Sequence, residues 1–189
     1  RDNAPVVKTA YGGAVEAVMH EMDAAKGGAI VAETLKSMVA DSLPVDDYII
    51  TKSVKTTESY AVPENMEVVN LGRKIAARGG QPPQSGDRVP FVICCGRERL
   101  VAQRVDDPDF VRNNPSTVKI DRSYYISNKL LNPILKFFGP FVEELALLKR
   151  AFRDAATRCK QQQTGQRRIE FFFSPSEVGE GGEVGEGGG

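Results

Sequence analysis

The chain has 189 residues, and 41% of them are hydrophobic, which suffices for one domain of ordinary size with a packed core. Its 25 basic and 25 acidic residues cancel, but five of the acidic residues lie after residue 169, so the rest of the chain carries 25 basic against 20 acidic residues. No apolar run reaches membrane-spanning length, and no signal peptide is visible, so no membrane partner is expected. A mildly basic body with an acidic tail is compatible with nucleic-acid contact, although acidic tails often serve only solubility.

The first half of the chain predicts three helices and one strand. Apolar residues recur at helical period over residues 5–22 and, more regularly, over 29–41. Residues 46–54 are rich in β-branched and aromatic side chains and predict a strand. A third helix is expected at 64–78, because a basic last turn followed by Gly79 suits a helix C-terminus.

The second half predicts two strands and two helices. The strands are expected at 89–95 and 100–105, and the helices at about 122–138 and 141–159. Asp121 is placed to cap the first of these helices, and Pro133 predicts a kink within it. The body is therefore predicted to be an α+β domain that is mainly helical, with a small β insertion.

Residues that carry chemistry are scarce. One histidine, His20, and three cysteines form no Cys-x-x-Cys pair, so no zinc or iron–sulfur site is expected. Cys94 and Cys95 adjoin in an apparent strand and should point to opposite faces, as structural thiols of an intracellular protein. The acidic run at 106–109 contains Pro108 and favours a capped turn over a metal site. The segment is therefore predicted to bind rather than to catalyse.

The composition changes after Cys159. Residues 160–168 are almost wholly polar, and residues 174–189 are rich in glycine and glutamate, so neither stretch offers enough apolar surface to offset the entropy of ordering. The sequence thus predicts a domain at 1–159 and a disordered tail at 160–189. Three consecutive phenylalanines at 171–173 interrupt this tail, and such aromatic side chains call for a partner that buries them.

The spacing around these phenylalanines is specific. The pattern is Q-x-x-h-x-x-F-F, in which h is apolar, and on one turn of α- or 3₁₀-helix the apolar members share a face. It resembles the peptide (PIP box) by which replication proteins dock on a PCNA-like sliding clamp. The clamp-binding residues would be Gln166, Ile169, Phe172 and Phe173, within the peptide 166–173. The alternative is that 169–173 forms a last edge strand of the fold.

Several short runs, in order, resemble the delta-like family B DNA polymerases. They are Arg1-Asp2-Asn3, Ile50-Thr51-Lys52, Gly86–Ile93 (GDRVPFVI), Asp107–Val111 (DPDFV) and Ile120–Leu130 (IDRSYYISNKL), followed by Pro133, Phe138 and Pro140. The resemblance covers about residues 1–141 and implies the palm edge and thumb of a replicative polymerase. One departure is the run Pro63–Val68, which lacks the histidine that the family usually carries there.

The resemblance also implies an activity and a setting. The parent protein would be a DNA-directed DNA polymerase, a nucleotidyltransferase, and the paired aspartates that hold its Mg²⁺ would lie upstream of Arg1. The segment alone is therefore expected to be inactive, with no cofactor of its own. The clamp-like peptide, in place of cysteine-rich metal modules, suggests a viral or divergent enzyme acting in the nucleus or at a viral replication site.

A thumb grips primer–template duplex through its phosphates, chiefly by lysine and arginine, without reading sequence. Lys52 and Arg88 are favoured because they lie inside resembling runs, and one tyrosine of the Tyr124–Tyr125 pair is expected in the core. Each basic residue could equally be an ordinary surface charge. A different function is a non-enzymatic adaptor that only presents the clamp peptide. The DNA-binding candidates are Arg1, Lys52, Lys55, Arg73, Lys74, Arg78, Arg88 and Tyr124.

Overall fold

The computed structural model describes residues 3–56 and 61–173, with side chains as far as Gly165. It opens on a helical hairpin, α1 (Pro5–His20) and α2 (Ala24–Val39). Both predicted helices are confirmed, but α2 begins earlier than expected because the Asp23 carboxylate accepts a hydrogen bond from the Lys26 amide at 2.7 Å. That cap brings Gly27 inside the helix, where the missing side chain lets α1 approach closely.

A small antiparallel sheet has the order β1 (Ile50–Ser53), β2 (Arg88–Ile93) and β3 (Val105–Asp106). The strands expected at 46–54 and 100–105 are both shorter than predicted, because each is replaced at its start by a turn of 3₁₀-helix. These turns cover Val45–Tyr48, where Pro44 and two aspartates favour a turn, and Val101–Arg104.

Two helices pack around this sheet. Helix α3 (Glu67–Ala77) follows a 3₁₀ turn at Pro63–Asn65 and ends, as predicted, before Gly79, whose φ is 79°. Helix α4 (Pro108–Asn113) occupies the place of the predicted turn. The Asp107 carboxylate accepts hydrogen bonds from the amides of Asp109 and Phe110, so it caps α4 as a capped-turn interpretation requires.

The helix predicted at 122–138 is divided into three parts. They are α5 (Arg122–Tyr124), a π-helical turn (Tyr125–Leu130) and α6 (Leu131–Phe137). Asp121 caps the first part, as predicted, by accepting a hydrogen bond from the Tyr124 amide at 2.9 Å. The irregularity lies before Pro133 rather than at it. Pro133 has no N–H for the carbonyl four residues earlier, so the regular hydrogen-bond ladder gives way in the preceding turn.

The last helix, α7 (Val142–Phe173), has 32 residues and continues far beyond the end predicted at Cys159. The backbone of residues 160–173 belongs to this helix, where the sequence predicts a tail from residue 160 or, alternatively, an edge strand at 169–173. The domain boundary at residue 159 and the disorder of the tail stay predictions. Tertiary contacts that composition does not show support the helix as far as Gln163. The Gln163 side-chain amide donates to the Ile120 carbonyl at 3.0 Å, and Gln162 accepts from Arg122 at 3.4 Å.

The hydrophobic core lies between the helical hairpin, the sheet, α6 and one face of α7. The α7 face is buried at alternating steps of four and three residues through Leu148, Phe152, Ala155 and Cys159. The largest fully buried side chains are those of Tyr48, Tyr125, Phe91, Phe138 and Met38. The predicted architecture, mainly helical with a small β insertion, is confirmed.

Candidate nucleic-acid interface

Lys52 lies on β1 beside a small charged group of residues. Its ammonium pairs with the Glu67 carboxylate at 2.9 Å and lies 5.9 Å from the centroid of the Phe91 ring. Nearby, the Lys129 ammonium lies 5.8 Å from the centroid of the Tyr124 ring. We call Lys52, Glu67, Tyr124 and Lys129 the Lys52 cluster. It joins β1 and α3 to the continuous segment formed by α5 and the π-helical turn, which follows much later in the sequence.

The electrostatics of the cluster favour an anionic partner. Burial and the repulsion from Lys52 together lower the pKa of Lys129, and the attraction of Glu67 only partly opposes them. Burial and the nearby Glu67 carboxylate raise the pKa of Tyr124, so its hydroxyl stays protonated and can donate a hydrogen bond. In the described part of the chain, two ammonium groups and a hydroxyl donor thus share the Glu67 carboxylate.

The other predicted DNA-binding residues near the sheet are less closely gathered. In the strand register Lys52 lies opposite Val89 and Ser53 lies opposite Arg88, so Lys52 and Arg88 leave opposite faces of the sheet. Lys55 is exposed just after β1, and Arg73 is exposed on α3. Arg1 lies outside the described residues.

Lys74 and Arg78 hold a buried carboxylate. Arg78 makes two hydrogen bonds to Asp106, at 2.6 and 2.8 Å, and its guanidinium carbon lies 3.3 Å from the centroid of the Phe110 ring. Lys74 donates to the Val105 carbonyl at 2.8 Å and lies 3.7 Å from the Asp106 carboxylate. Burial acts to raise the pKa of Asp106, but the hydrogen bonds from Arg78 and the Asp107 amide and the charge of Lys74 outweigh it and lower that pKa. These two cations therefore fasten α3 to β3.

The same contacts decide whether these aspartates could hold a metal ion. Among residues 3–56 and 61–173 no group of three or more histidine, cysteine, aspartate or glutamate side chains is placed to hold a metal ion. Asp106 is committed to Arg78, and Asp107 caps α4, so this pair does not fit a Mg²⁺ site. Nor is any helix in the described part of the chain long and apolar enough to cross a membrane.

The residue types expected to be structural occupy structural positions. Tyr125 is fully buried, which confirms that one tyrosine of the pair belongs to the core. Cys94 is also buried, and burial raises the pKa of its thiol to about 12, so it is an unreactive group at neutral pH. His20 is exposed at the end of α1.

Two functional or organising residues were not singled out from the sequence. Lys129 belongs to the Lys52 cluster, and Arg122 is buried while donating to the carbonyls of Met38 and Val39, at 2.8 and 3.1 Å, at the end of α2. Both lie within the run Ile120–Leu130 that resembles the polymerase family, and that run was the available signal. The burial of each side chain distinguishes them: Arg122 is buried and bonds backbone carbonyls, whereas Lys129 is partly buried in the Lys52 cluster.

The predicted clamp peptide lies at the end of α7. The backbone of residues 166–173 belongs to that helix, but the side chains of Gln166, Ile169, Phe172 and Phe173 lie outside the described residues. Residues 174–189 lie outside them altogether. The geometry of the peptide's side chains therefore stays a prediction from spacing.

Comparison with known proteins places this fold in a family. The family model for DNA polymerase family B matches residues 1–141. A DNA polymerase of Pyramimonas orientalis virus is 32% identical over 144 residues, which are 74% of this chain and 12% of the viral protein. The DNA polymerase delta catalytic subunit of Drosophila melanogaster is 30% identical over 148 residues, covering 77% of this chain and 13% of that subunit.

A solved structure supports the same assignment at the level of fold. The family B DNA polymerase of the archaeon Pyrobaculum calidifontis matches with a TM-score of 0.55 and 21% identity, over 71% of this chain and 18% of that one. The chain thus spans about an eighth of the length of the two curated relatives above. Because the family model covers about three quarters of the chain, the protein belongs to the family B DNA polymerases.

Proposed function

We propose that this chain supplies the palm edge and thumb of a DNA-directed DNA polymerase and grips primer–template duplex through its phosphates. The observation that carries the proposal is the family match over residues 1–141, within which the Lys52 cluster gathers two lysines and a hydroxyl donor from matched runs. Phosphate contacts of this kind position a duplex without reading its sequence.

The proposed role belongs to a larger reaction. The parent protein would perform templated nucleotidyl transfer in DNA replication, in the nucleus or at a viral replication site. Mg²⁺ would be held by carboxylates outside the described residues and would supply charge stabilisation at the transferring phosphate. The residues of this chain would hold the duplex in place while that chemistry proceeds.

The salt dependence of DNA binding tests whether the chain contacts the duplex through its phosphates. Residues 1–165 should bind primer–template duplex weakly, with equal affinity for two unrelated sequences, and the logarithm of the association constant should fall linearly with the logarithm of salt concentration. Lys52→Ala should make this slope shallower by about one, because one phosphate contact is lost. Arg88→Ala tests the opposite face of the sheet, and Lys36→Ala, in an exposed ion pair on α2, serves as the control. A slope that neither Lys52→Ala nor Arg88→Ala changes would remove both residues from the interface.

We also propose that the end of α7 tethers the protein to a trimeric sliding clamp. The pattern Gln166, Ile169, Phe172, Phe173 supports this, as does its place at the end of α7, whose last described hydrogen bond to the rest of the fold is made by Gln163. The apolar side chains would fill a pocket on the clamp, and Gln166 would make hydrogen bonds at its edge.

Calorimetry with a peptide spanning residues 163–176 tests the tether. Burying each aromatic side chain is worth roughly 1.5–3 kcal/mol before ordering costs, so replacing Phe172 and Phe173 together by alanine should weaken binding about a hundredfold or more. Gln166→Ala should have an intermediate effect, because it removes hydrogen bonds rather than burial. Phe171→Ala is the matched control outside the spacing. An equal loss for Phe171→Ala and Phe172→Ala would show that the register is wrong.

A further inference from the structure

We propose that Lys129 and Lys52, with the Tyr124 hydroxyl, form a site for a single backbone phosphate of the bound duplex. The inference deepens the proposed function and rests on it, because it names the part of the surface that holds the DNA. Lys129 is the new element, because it lies within the run Ile120–Leu130 but was not among the DNA-binding residues predicted from the sequence.

The placement of Lys129 is unusual for a lysine. It lies in the π-helical turn Tyr125–Leu130, in which Tyr125, Ile126 and Leu130 are buried, Ser127 is partly buried and Asn128 is exposed. Lys129 itself is partly buried, with its ammonium 5.8 Å from the centroid of the Tyr124 ring. Wide turns of this kind are costly and recur at functional sites, where they re-aim particular side chains.

Among the described residues, the neighbours of Lys129 leave positive charge in excess. The charged and titratable groups around it in that part of the chain are Lys52 on β1, Glu67 at the start of α3 and Tyr124 on α5. Glu67 is already paired with Lys52 at 2.9 Å, so this carboxylate serves both ammonium groups. A phosphate oxygen between the two lysines would supply the second negative charge, and the Tyr124 hydroxyl would donate to it.

The protonation of Lys129 supports this assignment. Burial and Lys52 lower its pKa in the free protein, so holding the charge there costs free energy. A bound phosphate favours the charged form and raises that pKa again, so DNA binding should be accompanied by proton uptake when the free lysine is partly neutral. An ordinary exposed lysine would show no such coupling.

Neutralising Lys129 tests the site by its salt dependence. Lys129→Gln should make the slope for primer–template binding shallower by about one. Lys136→Gln, at an exposed position on α6, is the matched control and should leave the slope unchanged. Thermal unfolding of both variants checks the fold, and Lys129→Gln should be no less stable than the native chain, because it removes a cation that is costly to hold.

The pH dependence tests the same site independently. The affinity of the native chain should fall as pH rises toward the ordinary lysine pKa, because Lys129 loses its proton before an ordinary lysine does. Lys129→Arg keeps its charge over this range, so its affinity should vary less with pH. Inorganic phosphate, added at constant ionic strength, should compete only weakly if the site is built for a phosphate held within a duplex.

The outcomes separate this inference from the proposed function. If the native chain binds no duplex at low salt, the proposed function fails. If it binds with a steep salt slope that Lys129→Gln does not change, the proposed duplex binding is supported but the phosphate site at Lys129 is refuted. Displacement of DNA by submillimolar inorganic phosphate at constant ionic strength would also overturn it, in favour of a site for free anions.

Discussion

Tyr125 and Tyr48 are buried side by side, with ring centroids 5.1 Å apart in an edge-to-face arrangement, but their hydroxyls differ. The Tyr125 hydroxyl donates to the Tyr48 carbonyl at 2.7 Å and accepts from the Ile93 amide at 2.9 Å. The Tyr48 hydroxyl finds no hydrogen-bond partner among the described residues. One hydroxyl therefore links the 3₁₀ turn before β1 to β2, and the other is buried at a cost.

This difference gives a matched prediction. Tyr125→Phe should lower the free energy of unfolding by about 2 kcal/mol, because it leaves a backbone amide and a carbonyl without a buried partner. Tyr48→Phe removes an unsatisfied group of the same kind and should be neutral or slightly stabilising. Denaturant titration of the two variants and the native chain makes the comparison. Equal losses would mean that the two hydroxyls have equivalent surroundings, contrary to the structure.

The sequence indicates which residue types sit at these positions but not their partners. It predicts that one tyrosine of the Tyr124–Tyr125 pair is buried, yet only the fold shows that Tyr125 bridges two backbone groups. Asp106 is a similar case. Its acidic neighbours and Pro108 predict a turn, whereas the residue ends β3 and pairs with Arg78, which lies 28 residues earlier. Long-range ion pairs leave no local pattern to read.

At the scale of elements, α1 and α2 meet where Gly27 lies. A side chain there would place its Cβ 3.0 Å from the Ala14 carbonyl oxygen and 3.0 Å from Val18, and 3.3 Å from Phe138. At the neighbouring Gly28 an added Cβ would meet only Glu144, at an ordinary 4.0 Å. The first glycine therefore sets how closely the helices approach, and the second has no such role.

Alanine substitution separates the two glycines. Gly27→Ala should destabilise the protein by about 1–3 kcal/mol, because overpacking forces the two helices apart. Gly28→Ala should instead stabilise it by about 0.5–1 kcal/mol, because alanine is the better helix former and the space is open. Thermal unfolding of the two variants provides the test. Stabilisation by Gly27→Ala would contradict the close crossing of α1 and α2.

The ends of the elements show where local pattern stops being informative. Helix α3 ends as predicted because a glycine at positive φ is a local signal. Helix α7 does not end as predicted, because what extends it is a set of contacts from Gln162 and Gln163 to residues about 40 positions earlier. Composition correctly describes this stretch as polar, but polar residues with specific partners remain helical.

For the whole molecule, the most informative signal in the sequence is a set of short runs in a fixed order. These runs led to the family B polymerases, and the match over residues 1–141 confirms that family. They could not show how the basic residues are distributed. In the fold, Lys74 and Arg78 pair with Asp106. Lys52 and Arg88 lie on opposite faces of the sheet. Lys129 lies near Lys52.

Lysine footprinting tests whether the surface around Lys52 faces duplex DNA. The chain would be modified by a lysine-specific acylating reagent with and without primer–template at low salt, and the rate at each lysine would be read by mass spectrometry. Lys36 pairs with Glu33 at 3.0 Å, much as Lys52 pairs with Glu67, and so provides an internal reference. We predict that DNA slows the modification of Lys52 and Lys129 severalfold and leaves Lys36 unchanged. If bound duplex leaves the modification rates of Lys52 and Lys129 unchanged, the surface around Lys52 does not face the DNA.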